Sequence, residues 1–474
     1  MTDILLINPP YKNYEKEKIS FFDVSTLGSC YPPLGLSYVA AACQDAGYKT
    51  ELIDMELEVM KFSALIKKIS KINPKIIGIT CASVLFPNVI ELCNTIKKKY
   101  SIPIVIGGPH TFIDPDSIIK EENIDFVIRK EGEKSFVELL DYLVNNKNNK
   151  NSRLSEIKNL SYKINGKIVH NPDAELVNID NIPYPARNLL KLKKYYHLLS
   201  RNYKTTFIIT SRGCPFNCIF CNPLYKKIRK RSVKNVVDEI KLIVNKYGIN
   251  DLEFFDETFN LIPEWVYEFC NELTKQNIRI KWRARCRPDL INEKMIKLMK
   301  ENGCYQISLG IESANNRILK FLKKGYNIDQ IKEAVRIIKK YNIEIHGYFI
   351  IGSPIETREE ILNTINFAAG SKLDFASFFI LMPYPGTELF NLAKKNNWFL
   401  KDYDSKEILS KQLGENTNML KNLYLKKKKV ESLLKHAYIK FYFNPTRTFN
   451  ISRIILSHPI TYLVLFYRYL KRAI

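Results

Sequence analysis

Three cysteines in this chain are spaced to do chemistry together. The stretch Ser211-Arg212-Gly213-Cys214-Pro215-Phe216-Asn217-Cys218-Ile219-Phe220-Cys221 carries them as C-x3-C-x2-C. Thiolates at that spacing on one loop can each hold one iron of a cubane iron–sulfur cluster, leaving the fourth iron without a protein ligand. An open iron accepts an exogenous chelating ligand, which a reactive cluster needs and a simple electron carrier does not. Zinc is the competing use of such thiolates, but it asks for four ligands. No fourth Cys or His is near in sequence; His197 and His346 could reach the loop only through the fold. Ten cysteines in 474 residues are too sparse for a disulfide scaffold, so a reduced compartment is expected.

The elements that must position this loop are legible as hydrophobic periodicity. Residues 1–145 alternate short apolar runs (4–8, 50–54, 75–80, 102–107, 125–128) with amphipathic stretches such as 33–46 and 62–72. That is the pattern of a doubly wound parallel sheet, whose ligands bind beyond the carboxyl ends of the strands. Those ends read Asn8-Pro9-Pro10, Asp54-Met55, Thr80-Cys81-Ala82-Ser83, Gly107-Gly108-Pro109-His110 and Lys130-Glu131-Gly132-Glu133. Small residues and hydroxyls there suit the close approach of a bulky ligand. Residues 146–195 read as a linker: a polar break over 145–152, a type I′ hairpin signal at Asn165-Gly166, and a boundary at Pro183-Tyr184-Pro185.

From 196 to 400 the alternation resumes. Strands are expected over 206–210, 251–255, 281–285, 305–310, 343–351 and 375–381, and helices over 233–247, 264–276, 293–302 and 328–340. Six such units fit a partial (β/α)6, TIM-like barrel better than a second open sheet, and the cysteine loop follows its first strand. Residues 401–474 read as a basic, aromatic, helical extension. The expected fold class is therefore α/β, with a doubly wound sheet, a partial barrel and a helical C-terminal region.

Composition narrows the function classes. A hydrophobic fraction of 46% excludes a disordered chain. The N-terminus has no basic and apolar leader pattern, so a cytoplasmic location is expected. Lys+Arg number 73 against 49 Asp+Glu, a formal charge of +24, which fits nucleic acid, a membrane surface or an acidic substrate. The last 54 residues hold twelve bases and one acid, Glu431, and so supply eleven of those charges. Their apolar run 460–467 is too short to span a bilayer, which takes about 20 residues. It suits a peripheral contact at the inner face of a membrane. An RNA-binding arm is the alternative for basic residues interleaved with aromatics, and a helix packed on the barrel with a solvated basic face is the third reading.

Taken in order, the motifs resemble the radical S-adenosylmethionine superfamily over most of residues 205–390. Ser308-Leu309-Gly310-Ile311-Glu312-Ser313 resembles the strand that meets the ribose and amino group of adenosylmethionine. Gly347-Tyr348-Phe349-Ile350-Ile351-Gly352 with Glu356 resembles the adenine-side strand. Phe255-Asp256-Glu257-Thr258-Phe259 matches the second strand, and Pro383-Tyr384-Pro385-Gly386-Thr387 the closing turn. The N-terminal half resembles the cobalamin-binding domain of one large subgroup, which includes magnesium-protoporphyrin ester cyclase-like, hopanoid-modifying and class B methyltransferase enzymes. The matching residues are Asn8-Pro9-Pro10, Tyr31-Pro32-Pro33-Leu34-Gly35, Gly107-Gly108-Pro109-His110 and Gly132-Glu133, with Pro183-Tyr184-Pro185-Ala186-Arg187 and Phe441-Tyr442-Phe443-Asn444-Pro445 further on.

The resemblance implies a 4Fe–4S cluster on Cys214, Cys218 and Cys221. It implies adenosylmethionine near Asp256, Gly310, Glu312, Ser313, Gly352 and Glu356. Cobalamin is implied near Asn8, Pro9, Thr80, Ser83, Gly107, Gly108, His110, Glu131 and Gly132. The D-x-H-x-x-G motif that supplies a lower axial histidine is absent, so cobalamin without a protein His below the cobalt is expected. The implied reaction is reductive cleavage of adenosylmethionine to a 5′-deoxyadenosyl radical, followed by methylation or cyclisation of an unactivated carbon. The implied partners are a small-molecule or lipid-like substrate and a flavodoxin or ferredoxin as electron donor; nucleic acid is not among them. Two alternatives remain at this point: a tRNA or protein methylthiotransferase, using Cys30, Cys43 and Cys81 for a second cluster, and a non-catalytic cobalamin or redox sensor.

Overall fold

A computed structural model of the chain describes residues 2–11, 29–145, 153–197, 199–201, 204–403, 418–445 and 447–448. The expected apolar run 460–467 and most of the polar break before 153 lie outside them. Two compact units divide at Tyr195/Tyr196, and each is taken by itself.

Unit 1 is built on β1 (Ile4–Asn8), β2 (Thr50–Asp54), β3 (Ile76–Thr80), β4 (Ile104–Gly107) and β5 (Phe126–Ile128). They pair in parallel in the order β2-β1-β3-β4-β5. Strand residues alternate faces, and both faces here are apolar. Leu5 and Ile7 enter one core with Leu65, Ile69, Val89 and Leu92, while Ile4 and Leu6 enter another with Ala40, Phe136 and Leu140. The covering helices are α1 (Leu34–Asp45), α2 (Phe62–Ile72), α3 (Phe86–Lys97) and α4 (Glu133–Asn145).

The hairpin does not stand apart as linker. Strands β6 (Leu160–Ile164) and β7 (Lys167–His170) turn through Asn165 (φ 49) and Gly166 (φ 77). β6 pairs antiparallel with β5 and carries the sheet to seven strands. With only three residues, β5 would otherwise leave a bare edge beside the core.

Unit 2 holds six parallel strands in consecutive order: β8 (Thr205–Ile208), β9 (Asp251–Phe254), β10 (Lys281–Cys286), β11 (Cys304–Glu312), β12 (Glu344–Ile351) and β13 (Phe375–Ile380). Consecutive order with a helix between strands is the path of a barrel that stays open. The connecting helices are α5 (Val233–Tyr247), α6 (Pro263–Lys275), α7 (Glu293–Glu301), α8 (Ile328–Lys340) and α9 (Arg358–Gly370). Four of them start on side-chain caps (Ser232, Asn292, Asn327 and Thr357) and α6 starts on Pro263; Asn327 with Gln330 and Thr357 with Glu360 form complete capping boxes.

The C-terminal helix α10 (Lys427–Tyr442) lies on the last strand. Val430, Leu433, Leu434, Ala437 and Phe441 are its buried face, while Lys428, Lys429, Lys435 and Lys440 point outward. The free edge of β13 is closed by two phenols. Tyr438 accepts from the Phe378 N–H and donates to its carbonyl, and Tyr442 does the same at Ala376. Arg447 then donates to the carbonyls of Ala369, Ser371, Leu373 and Phe441. This described part of the tail is thus a helix packed on the barrel with a basic outer face. Among the described residues no helix is long and apolar enough to cross a membrane.

Candidate functional site

The three cysteines stand apart from the other seven. Cys214 and Cys218 are half-buried and Cys221 is exposed, whereas Cys30, Cys43, Cys81, Cys93, Cys270, Cys286 and Cys304 are all buried. Burial pushes the Cys43 thiol up to about 12 and Cys81 well above its ordinary value. Those are core thiols and not ligands of a second cluster. Although Cys221 is exposed, partial burial of its thiol, then Cys218 and Cys214 beside it, push it up to about 11. Among the described residues no three His, Cys, Asp or Glu side chains converge as ligands of a single metal ion would. A cubane instead spreads its three thiolates over three irons.

The loop is tethered at both ends and in its middle. Ser211 and Arg212 pair antiparallel with Lys230 and Arg229, so the cysteines ride on the bend of a small ribbon. Gly213 takes φ +101, where an added Cβ would stand 2.4 Å from the Lys227 carbonyl oxygen. Ile219 is fully buried with Ile318, Leu322, Leu381 and Leu389. Its N–H donates to the Leu322 carbonyl, and its own carbonyl accepts from Leu389. Sequence reasoning passed over Ile219; the signal was an apolar residue held between two cysteines. The ribbon is keyed to the sheet by Asp256, which is fully buried. It accepts from the N–H groups of Thr210 (2.6 Å) and Ser211 (3.2 Å), the Thr210 hydroxyl, and Lys230 Nζ (3.2 Å).

Glu312 owes its direction to a β-bulge. The register between β11 and β12 slips between Gly310 and Glu312, and Glu312 takes φ 62. Its carboxylate folds back over Gly310, where a Cβ would lie 2.8 Å from Oε1. Lys324 Nζ meets that oxygen at 3.0 Å, both side chains being 9% exposed. Burial alone would depress the Lys324 ammonium; Glu312, with Tyr326 and Cys218, more than reverses this and holds it above its ordinary value. The same ammonium lies 5.6 Å from the Phe220 ring of the cysteine loop. Arg287 stacks on Phe216 at 3.4 Å, bonds Asp289 and donates to the Lys324 carbonyl. Lys324 and Arg287 had no readable signal: one sits in a Lys-Lys pair, the other follows a strand.

Ser313 and Glu356 point elsewhere. Ser313 is fully buried and pairs with Thr364 of α9 at 3.2 Å. Glu356 is fully buried and accepts from the N–H groups of Gly352 (2.8 Å) and Ser353 (3.1 Å), and a Cβ at Gly352 would strike Val430 of α10. Of the six residues tied to adenosylmethionine, then, Gly310 and Glu312 lie together beside the cysteine loop. Asp256, Ser313, Gly352 and Glu356 hold backbone or helices in place.

In unit 1 the ends of the parallel strands assemble as expected for a sheet of this order, whose winding switches sides between β1 and β3. Asn8 donates to Asp54 at 2.9 Å, and Pro9 is buried beside it. Gly108 takes φ +98, and a Cβ there would stand 2.7 Å from Thr80 Oγ1. Nothing lies within 4 Å of a Cβ built on Gly107. His110 is 1% exposed; its Nδ1 meets Ser83 Oγ at 3.2 Å, and Nε2 is buried with no hydrogen-bond partner among the described residues. Burial pushes the imidazole down to about 4, with Asp114 opposing, so it is neutral near pH 7. The Glu131 carbonyl accepts from Asn159, and Gly132 caps the start of α4. An orphaned ring nitrogen near the open Gly107 fits a large polar ligand at these strand ends.

Comparison with known proteins decides the family. Residues 208–368 match the radical SAM superfamily and residues 22–140 match the B12 binding domain. An uncharacterized methyltransferase of Pyrococcus horikoshii is 36% identical over 448 residues, covering 93% of both chains. The chain belongs to the cobalamin-binding radical SAM family. The anaerobic magnesium-protoporphyrin IX monomethyl ester cyclase of Rubrivivax gelatinosus is 27% identical, covering 82% of this chain and 69% of the cyclase. The radical SAM methyltransferase TsrM of Kitasatospora setae shares the fold with a TM-score of 0.68 at 18% identity, covering 85% and 76%. The family's cofactors are a 4Fe–4S cluster, adenosylmethionine and cobalamin.

Within this family frame two outcomes follow from the geometry. Gly213→Ala places a side chain against the Lys227 carbonyl in a backbone region L-residues avoid. The strain alone costs about 1–3 kcal/mol, so iron loading on reconstitution should fall well below wild type; full loading would show that the loop yields freely. Glu356 is pushed up to about 8 by burial, against the Ser353 and Gly352 N–H bonds. A carboxyl raised in the folded state stabilises fully below its ordinary value of 4.5 and loses that contribution as pH rises toward about 8. Glu356→Gln should therefore flatten stability over that window. Denaturation midpoints that fall with pH equally in both proteins would assign the dependence to other groups.

Proposed function

We propose that the chain is a cobalamin-dependent radical SAM methyltransferase acting on a carbon of a small molecule. The observation that carries the reading is the cysteine loop. Three thiols, alone among ten in not being buried, ride on a ribbon that follows the first barrel strand, is keyed to Asp256 at the end of the second, and lies beside Glu312. Cys214, Cys218 and Cys221 would hold the cluster, Glu312 and Gly310 would meet adenosylmethionine, and the β1, β3 and β4 ends with His110 would receive cobalamin. When bound, these groups supply reductive cleavage of the sulfonium C–S bond, hydrogen abstraction from the substrate, and a transferable methyl group. The chain's own part is to hold the loop in register, fix the Glu312 carboxylate in place through Lys324, and exclude water from the barrel.

An electron donor of flavodoxin or ferredoxin type belongs to this reading, as does a cytoplasmic site of action. Contact of the basic outer face of α10 with a membrane is part of it as well. Anaerobic turnover tests it. Reconstituted protein with reductant should release methionine and 5′-deoxyadenosine from adenosylmethionine, and S-adenosylhomocysteine when substrate is methylated. Release of none of these would sink the proposal. Radical cyclisation is the second reading, favoured by the likeness to the protoporphyrin ester cyclase; it predicts 5′-deoxyadenosine without S-adenosylhomocysteine.

A further inference from the structure

Barrel interiors are ordinarily filled by branched apolar side chains. One face of the unit 2 sheet obeys this kind of packing: Leu252, Phe254, Ala284, Ile307, Leu309 and Ile345 are all buried. The other face does not. It carries Glu253 on β9, Arg283 and Arg285 on β10, Ser308 on β11, and His346 and Tyr348 on β12, set side by side by the strand register. A charged row inside a sheet is costly to desolvate and is kept where it has a use.

The row leaves one guanidinium loosely paired at its open end: Arg283 Nε meets Glu253 Oε2 at 2.8 Å, while Arg285 Nη2 stands at a long 3.4 Å from Oε1. A second carboxylate, Glu344, lies in register with Gln306 and Arg283 and pairs with Arg201. The imidazole of His346 adds no charge, since burial, then Arg283 and Arg285, push it down to about 3. Glu257 stands near the same end. Burial and Asp256 raise its carboxyl to about 7 against Arg285 and Arg212, so near neutrality it only partly offsets the arginines.

The open end of the row is also aromatic. The Arg285 guanidinium lies 3.7 Å from the centre of the Phe255 ring, and its side chain is 35% exposed. Phe255 is 36% and Phe379 42% exposed, both at strand ends. The Tyr348 and Phe379 rings lie 6.3 Å apart and 24° from parallel. A guanidinium stacked on one ring keeps its edge donors available to a planar anion. Large aromatic faces left open beside it cost free energy unless something apolar covers them.

We propose that this end of the barrel binds the substrate itself, as an anion on a flat apolar body. Arg285 takes the carboxylate or phosphate, and Phe255, Tyr348 and Phe379 take the body. The inference rests on reading unit 2 as the radical barrel and names the substrate class that reading leaves open. Adenosylmethionine also carries a carboxylate, so two sources of the anion must be told apart.

The probes are 1-naphthoate and its neutral partner 1-naphthamide, titrated calorimetrically into cluster- and cobalamin-loaded protein, with adenosylmethionine affinity measured separately. Wild type should prefer the naphthoate by about tenfold or more, as a charge-assisted hydrogen bond to a half-buried guanidinium allows. Arg285→Gln should abolish that preference while leaving adenosylmethionine affinity within about twofold, and Arg285→Lys should keep part of it. Phe379→Ala should weaken both probes alike. Equal binding of the two probes by wild type, or no binding of either, overturns the proposal. So does an Arg285→Gln protein that loses adenosylmethionine and keeps the naphthoate preference, because the guanidinium then serves the cosubstrate. The probe preference is read without turnover, so a protein that cleaves no adenosylmethionine would fail the functional reading alone.

Discussion

Cys218→Ala is expected to give a folded protein that holds little iron and cleaves adenosylmethionine at least about a thousandfold more slowly, the loss of a group on which the whole rate enhancement depends. The reason lies in how the loop is built. Cys218 sits between Cys214, fixed by the Tyr225 carbonyl, and Cys221, whose N–H turns back to the Cys218 carbonyl. Two thiolates cannot span three irons. The fold should survive, because the loop is anchored through Ile219 and Asp256 and not through the thiols. Cys270→Ala is the matched control: a fully buried thiol on α6 whose loss trims the core and leaves iron loading intact. Iron content, visible absorbance and 5′-deoxyadenosine release are the readouts. A Cys218→Ala protein that retained wild-type iron and cleavage would show that the cluster is not on this loop.

The second large effect concerns Lys324 and Glu312. Removing one partner of a buried ion pair strands the other charge, at about 3–5 kcal/mol. Lys324→Met should therefore lower the denaturation midpoint substantially, and Glu312→Gln should do so too. The double variant removes both charges and should regain most of that stability, because two neutral groups of similar size leave nothing uncompensated. Adenosylmethionine affinity should not return with it. That split separates a carboxylate that binds ligand from one that merely holds a lysine. A double variant as unstable as Lys324→Met alone would assign the lysine a packing role. Unchanged adenosylmethionine affinity in Glu312→Gln would remove Glu312 from the site.

Much of this architecture was legible because it is written in period. The barrel strands fall where they are expected, although β9 (DLEF) and β10 (KWRARC) carry no β-branched residue, and the cysteine spacing carries its chemistry without help from the fold. The limits are equally physical. Ser308 to Ser313 reads as one strand, but the bulge at Gly310–Glu312 sends Glu312 over Gly310 and turns Ser313 toward Thr364. Pattern names the residues at such a bend and does not give their directions. Asp256 matched a family position, yet its oxygens are filled by Thr210, Ser211 and Lys230. Lys324 was illegible because a lysine beside a lysine resembles a solvated face. Only the fold brings it to Glu312. The hairpin around Asn165 was found as a hairpin, but which edge it would join depends on β5 being too short to stand alone.

The phenols on the edge of β13 have a consequence for what the C-terminal helix can tolerate. Tyr438 and Tyr442 are four residues apart on a helix, about 6 Å along its axis. Ala376 and Phe378 are two apart on a strand, about 6.6 Å. Two lattices of different pitch are thus commensurate over one helical turn, and the hydroxyls sit at both coincidence points. The helix is measured against the strand as a vernier is read against its scale. The residues between the two tyrosines, Ile439, Lys440 and Phe441, can drift in identity as packing and charge allow, but their number cannot change without losing the reading.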